Sequence, residues 1–594
     1  MRALLTIVLA AWIASAAQPE PAAGLESLQA QAHEAQARSD FPGAAKAYRQ
    51  ALALGPEIPE LWSNFGLMLH ESREYSEAVE AFRKALALNK VLFVPNLFLG
   101  LDLLRLNRPK EAVPPLLEAQ QLNPRDPQPL LALGRAFHMQ WEPAKSRDWY
   151  LRAATLAPRS GEAWNGLGLA YFDLAEAAGA KLAGSFRNSV EAAALTADAL
   201  AEQGRLVQAI NAYRALLASS APPPRCSRAS YGFALLRHGS RSEAEQEFRL
   251  DEAGCSAARV GMARLLFEGG EREKALAALT DLAGSDPEGF EASVPRFWEG
   301  LDVQQLESRL AQLSQSTTAM AGIVSARISG GARSSAVLEP EPQLPEPDSS
   351  RGLERIASDA FVTGHFWLAA LASERMRRQN PGDVAGWYWA VRANQRLGVA
   401  ALARAAEVEP DSATVHALLG DYYRRRQMFE QAREEYSKVL SISSDNPAGL
   451  LGLASADLAD DRLDAARAAA QRALARHPED GDLNLVMAEI LVAQNEYDDA
   501  AAYLERSLHV RPDLLPRVHA LRGRVLAANG RHREAIDELK QGLASDQDGS
   551  VYYQLARSYW KVGDAKAAEA AFEKSKQIQA RHDDLARQAL MPVD

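Results

Sequence analysis

The sequence predicts an all-α protein, an α-α superhelix of stacked helical hairpins. Two observations predict it. A pattern of small and large apolar residues returns every 34 residues, through four consecutive stretches without a gap. The composition agrees: 47% of the 594 residues are hydrophobic, only 7% are aromatic, and Ala and Leu are abundant.

The pattern is clearest from residue 59, "PELWSNFGLMLHESREYSEAVEAFRKALALNK", with Trp62, Phe65, Gly66 and Leu69, then Tyr75, Ala78, Phe82 and Ala85. Adding 34 lands on Gly100, Leu103, Ala112, Leu116, Ala119 and Pro124, and adding it again on Gly134, Phe137, Tyr150, Ala153 and Pro158. A third step gives Trp164, Leu167, Gly168 and Tyr171. Each stretch reads as two antiparallel helices. A small residue at the eighth position lets them approach, and the apolar residues of the second helix fill the groove of the next hairpin. This resembles the tetratricopeptide repeat, whose pattern is W-x2-L-G-x2-Y, then A-x3-F, then a loop Pro.

Fifteen such repeats are read, starting near 25, 59, 93, 127, 161, 190, 225 and 256, then near 350, 384, 413, 447, 481, 516 and 549. The organisation expected is a signal peptide over 1–16, a first array over 24–289, an irregular helical cap over 290–327, a linker over 328–350 and a second array over 351–594. The linker, "ISGGARSSAVLEPEPQLPEPDSS", has four Pro and no amphipathic period. The segment "KQIQARHDDLARQAL" is polar enough to close the second array.

The period breaks twice. Residues 163–182, "AWNGLGLAYFDLAEAAGAKL", open like a repeat but lack the turn that should follow. An offset of 223 aligns Trp164 with Trp387, Leu174 with Leu397, Ala209 with Ala432 and Tyr213 with Tyr436, with no gap. Both places hold a 29-residue repeat whose missing five residues are the turn. One continuous helix is therefore predicted over about 162–183 and another over about 385–407. Gly179 and Gly398 weaken such helices by about 1 kcal/mol each against Ala without ending them.

The opening "MRALLTIVLAAWIASAAQPEP" places one Arg before a short apolar run, then small residues at Ala14 and Ala16. That is a signal-peptide pattern and implies an exported protein, periplasmic or secreted. No stretch elsewhere is apolar enough to suggest a stable membrane span. Lys+Arg 66 against Asp+Glu 77 gives a net charge of −11, which argues against a general nucleic-acid surface.

Candidate sites follow from the resemblance, which implies a concave groove lined by first-helix positions. Those positions hold Leu67, His70, Leu101, Leu104, Arg135, His138, Leu169 and Phe172 in the first half. They make an apolar stripe suited either to an extended peptide or partner helix, or to burial against the chain's own N-terminal segment or second array. Tyr388, Arg392, Tyr553, Arg557 and Trp560 take such positions in the second half, where aromatics with Arg read peptide backbone or stack on sugar rings, unless they are repeat packing. The family's carboxylate clamp needs Lys and Asn where this chain has Ser63 and Leu67, so that specificity does not carry over. Cys226 and Cys255 pair if the compartment is oxidising and their Cα atoms are near; the alternative is two separate thiols. No phosphate-cradling Gly loop, H-E-x-x-H or G-x-S-x-G is found, so no catalytic residue, metal or cofactor is expected. The expectation is a non-catalytic scaffold for a protein or peptide partner. The alternative is glycan or cell-wall-polymer recognition by the second array.

Overall fold

The computed structural model describes residues 20–298, 350–509, 514–546 and 548–588. The expected signal peptide, the linker apart from Ser350, and most of the cap lie outside them. Every regular element described is helical. The chain divides into two compact units, 1–170 and 171–594.

The first unit is four hairpins and the start of a fifth element. The hairpins pair Glu20–Ala37 with Phe41–Leu54, Pro59–Glu71 with Tyr75–Leu88, Phe93–Arg105 with Pro109–Leu122, and Gln128–Met139 with Pro143–Leu156. Each turns through one residue of positive φ: Ser39, Arg73, Asn107 and Trp141, spaced 34 apart. The next N–H then bonds back to the carbonyl five residues earlier, as from Asp40 to Ala35, Glu74 to Leu69, Arg108 to Leu103 and Glu142 to Phe137, at 2.8–2.9 Å. This left-handed C-cap satisfies the orphan carbonyls of the first helix and reverses the chain in few residues.

The small eighth position has its reason in packing. A methyl at Gly66 would come within 2.6 Å of the Phe82 ring, and one at Gly100 within 2.4 Å of Leu116. Phe82 and Leu116 are fully buried there. Trp62 fixes the entry of its helix by donating its indole N–H to the Pro56 carbonyl at 2.7 Å, and Trp164 repeats this with Pro158 at 2.9 Å.

Two helices have no turn. Gly161–Ser185 and Val384–Val408 each run unbroken for 25 residues. Position 175, which is 34 past Trp141, and Gly398, which is 34 past Gly364, are helical and absent from the positive-φ residues.

The second unit begins inside the first of these helices. Three hairpins follow, Val190–Glu202 with Leu206–Ala218, Ser227–His238 with Arg241–Asp251, and Ser256–Glu268 with Arg272–Ser285. Two short helices, Pro287–Ser293 and Pro295–Trp298, pack on Ser256–Glu268 and are the described part of the expected cap. Ser350–Val362 with Phe366–Gln379 precedes the second long helix. The remaining hairpins are Ala413–Arg425 with Phe429–Ile442, Pro447–Ala459 with Leu463–Leu474, Gly481–Ala493 with Tyr497–Arg506, Leu515–Ala528 with His532–Gly542, and Ser550–Lys561 with Ala565–Gln588.

One core joins residues from both sides of the expected linker. Ala197, Tyr213, Phe248 and Phe297 share it with Leu353, Met376, Tyr388 and Trp389. The boundary between compact units falls at 170/171, inside the expected first array 24–289, and the expected second array 351–594 lies wholly in the second unit. Cys226 and Cys255 are joined by a disulfide, with Cα atoms 5.6 Å apart. No helix among the described residues is long and apolar enough to cross a membrane.

Candidate functional site

The two turnless helices generate the site. Within the second unit, a methyl at Gly398 would meet the Phe172 ring at 2.5 Å, while one at Gly179 would sit 3.9 Å from Val391. Numbers rise on one helix as they fall on the other, so the two cross antiparallel. Phe172 then stacks on Tyr422 with ring centroids 4.0 Å apart, and Tyr171 meets Trp367 edge-on at 6.3 Å. A hairpin turn at position 175 or 398 would remove this crossing.

Beside the crossing, the helix Val190–Glu202 supplies carboxylates. Asp198 accepts from the Tyr213 hydroxyl at 2.5 Å and also contacts the Arg392 guanidinium. Glu202 contacts Arg426. Arg392 lies over the Phe361 ring at 4.9 Å and over Tyr388 at 5.8 Å, so its planar cation is held between aromatic faces and a carboxylate. Burial, and then the positive charges of Arg396 and Arg426, push the Arg392 guanidinium down to about 9, still charged at neutral pH. Burial raises the phenols of Tyr213, Tyr388 and Tyr422 above their ordinary range, and pushes Tyr423 up to about 12. All four stay neutral hydroxyls near pH 7.

These groups wall a cleft of about 1440 Å³. Eight arginines line it, with three carboxylates, Glu176, Asp198 and Glu202, and no lysine. Asp198 and Glu202 are engaged by Arg392 and Arg426. Arg237 donates to the Ala201 carbonyl at 2.7 Å, and Arg296 covers the Phe233 ring at 5.3 Å. Arg187, Arg205, Arg396 and Arg425 stand exposed at the rim. The cleft is thus strongly basic inside a chain whose net charge is −11.

The expected groove residues divide into three groups. Phe172 and Arg392 enter the cleft wall, and Tyr388 is buried behind it, 3% exposed, which corrects its expected place on an open groove. For Phe172 the second of the two expected alternatives holds, since it is covered by Tyr422 of the second half. In the first unit, Leu104 is buried in the core, and Leu67 and Leu101 are half-buried against it. His70 is held by packing and pairing: its Nδ1 lies 2.5 Å from Asp102, and its ring is 4.9 Å from Phe98. Burial raises the Asp102 carboxyl above the usual range, against the lowering effect of His70. Arg135 pairs with Glu162 at 2.7 Å across neighbouring repeats. His138 and Leu169 are half-buried. Apart from these, Tyr553 and Trp560 are 47% and 66% exposed on Ser550–Lys561, with Arg557 5.9 Å from the Tyr553 ring.

Sequence reasoning missed most of the cleft: Arg187, Arg205, Arg237, Arg296, Arg396, Arg425 and Arg426, with Asp198, Glu202 and Tyr422. Two signals were there to read. Arg392 and Arg396 are four apart on one helix face, and "RRR" closes at Arg426. Their partners, about 200 residues earlier, carry no local mark.

The comparisons agree with the repeat geometry. Models of the tetratricopeptide repeat match residues 30–90, 99–161, 194–254 and 394–447, then 457–525, then 549–582, together more than half of the chain. No curated protein matches the sequence. Among solved structures, similarity reaches a MamA protein at 21% identity, covering 26% of this chain and 83% of that one, with a TM-score of 0.25. MamA from Desulfovibrio magneticus RS-1, residue 41 to the end, is also 21% identical, over 26% of this chain and 85% of its own, with a TM-score of 0.25. YrrB, described as a TPR protein with an unusual peptide-binding site, is 20% identical over 31% of this chain and 96% of its own, with a TM-score of 0.26. On its repeats and their hairpins, the chain belongs to the tetratricopeptide-repeat family, a family of protein-interaction scaffolds.

Proposed function

We propose that this scaffold works after export and holds a peptide or helical segment of its partner in the cleft of the second unit. The cleft itself carries the reading. At about 1440 Å³ it exceeds the roughly 300–1,000 Å³ of small-molecule pockets, so it suits a chain segment better than a metabolite. Its aromatic and Arg wall has the residue types that dominate binding energy in protein interfaces.

The test is a cross-linked pull-down of the tagged mature protein from the exported fraction, run beside a plugged variant, Ala180→Trp, at an exposed position of the wall. A stoichiometric partner lost only in the plugged variant supports the cleft. A partner kept by that variant, but lost when Leu67 and Leu101 are made Glu, moves the site to the first unit. N-terminal sequencing of the mature protein tests export, with cleavage after Ala16 expected. A second reading, glycan recognition, draws on exposed Tyr553 and Trp560. Salt-insensitive polysaccharide binding that disappears with Tyr553→Ala and Trp560→Ala would establish it.

A further inference from the structure

We infer that the cleft selects an acidic, extended peptide segment, whose carboxylates meet the rim arginines while its apolar side chains reach the aromatic wall. This rests on the reading of the cleft as a partner site and names the chemistry of what enters it.

The charge is built and does not follow from composition. The chain carries more acid than base, yet eight of the eleven charged residues lining the cleft are arginine. The four at the rim come from separate places in the chain: Arg187 follows the first long helix, Arg205 lies in a hairpin turn, Arg396 sits on the second long helix and Arg425 ends the helix after it. None of the four side chains has an ion-pair or hydrogen-bond partner among the described residues, unlike Arg392 on the same helix as Arg396 and Arg426 next to Arg425. A run of charge on one solvated face would not converge this way. Two of the three local carboxylates are already engaged, so the cleft cannot neutralise its rim from within.

Arginine without lysine narrows the ligand further. The guanidinium fork takes a carboxylate through two parallel N–H bonds, a geometry a lysine cannot supply. Between the rim charges, the half-buried Phe172, Tyr422 and Tyr423 offer apolar area to side chains lying between acidic residues. A small anion would fill only a fraction of this volume.

The experiment is fluorescence anisotropy of the full chain with a labelled Glu/Leu peptide of about ten residues, roughly 33 Å when extended. A Lys/Leu peptide of equal length and a single-stranded oligonucleotide serve as rivals. The acidic peptide is expected to bind and the lysine peptide not to. Raising salt from about 0.05 to about 0.3 M should weaken binding, as screening shortens the reach of exposed charge. Arg396→Glu with Arg425→Glu, both exposed and unpaired, should weaken it about tenfold or more, while Arg533→Glu, exposed and outside the cleft, should leave it unchanged.

Absence of acidic-peptide binding, equal binding of the lysine peptide, or indifference to the double charge reversal would overturn the inference. So would tighter binding of the oligonucleotide. If the inference falls while Ala180→Trp still releases the captured partner, the cleft is a partner site of another chemistry. If that variant releases nothing, the cleft reading falls with it.

Discussion

The hairpin of Phe93–Arg105 with Pro109–Leu122 and the helix Val384–Val408 occupy comparable repeats. They part at a single place. In the hairpin, Asn107 takes positive φ, the Arg108 N–H closes on the Leu103 carbonyl, and the second helix folds back so that Leu116 fills the space over Gly100. In the long helix no residue turns. The second half runs on and finds its partner elsewhere, with Phe172 from the other long helix over Gly398. A hairpin buries its own apolar face against its own second helix. The turnless helix leaves that face open to a segment about 220 residues away, and the basic cleft forms beside the junction. Removing one turn thus exchanges local packing for long-range packing.

That contrast can be broken at either end. The largest effect expected is in the regular region: Phe82→Ala, at a fully buried ring, should cost about 4 kcal/mol in urea denaturation and leave binding at the cleft intact. At the crossing, Gly398→Leu drives a side chain into Phe172 and should cost about 2–3 kcal/mol, with loss of acidic-peptide binding as the helices part. An unchanged affinity in that variant would mean that the crossing does not shape the cleft.

Away from the crossing, Glu489 gives the regular hairpins a pH dependence. Burial, which outweighs its contact with Arg517, pushes its carboxyl up to about 7, above the ordinary 4.5. Below 4.5 both folded and unfolded chains hold the proton. As pH rises toward 7 the unfolded chain ionises first, so this contribution to stability falls through that window and is fully lost above it. Glu489→Gln should therefore show a smaller drop in Tm between pH 5 and pH 8 than the parent protein.

Smaller effects sharpen the comparison by sign. Gly179 lies in the first long helix, where a methyl would make only an ordinary contact with Val391 at 3.9 Å, so Gly179→Ala should raise stability by about 1 kcal/mol, opposite to Gly398→Leu. Trp141, half-exposed at positive φ, turns its hairpin at a steric cost. Trp141→Gly should gain about 0.5–1 kcal/mol, since only Gly adopts that conformation freely. A loss there would mean that the indole earns more from its contacts than its backbone costs.

Much of this molecule was legible in the residues. The repeat, its eighth-position glycines and the paired loss of the turn at 223-residue spacing gave the hairpins and both 25-residue helices, because each depends on contacts within about 40 residues. The site was legible only in part. Phe172, Tyr388 and Arg392 were picked out, but the choice between groove lining and buried packing stayed open, since position within a repeat says nothing about which distant segment covers it. Tyr388 proved to be core, and Phe172 a contact of the crossing. The arginines of the rim went unread because each stands alone in its own stretch of sequence.

Periodicity determined the helices, their turns and their absence, for those are set by backbone hydrogen bonds and neighbouring side chains, which a local pattern records. Only the tertiary structure decided that residues 171–298 and 350–588 share one compact unit and that four unpaired arginines face one cleft. Two apolar helix faces released from their own repeats must be buried somewhere, and which surface meets them depends on shape and charge summed over hundreds of residues, a quantity no single stretch of the chain contains.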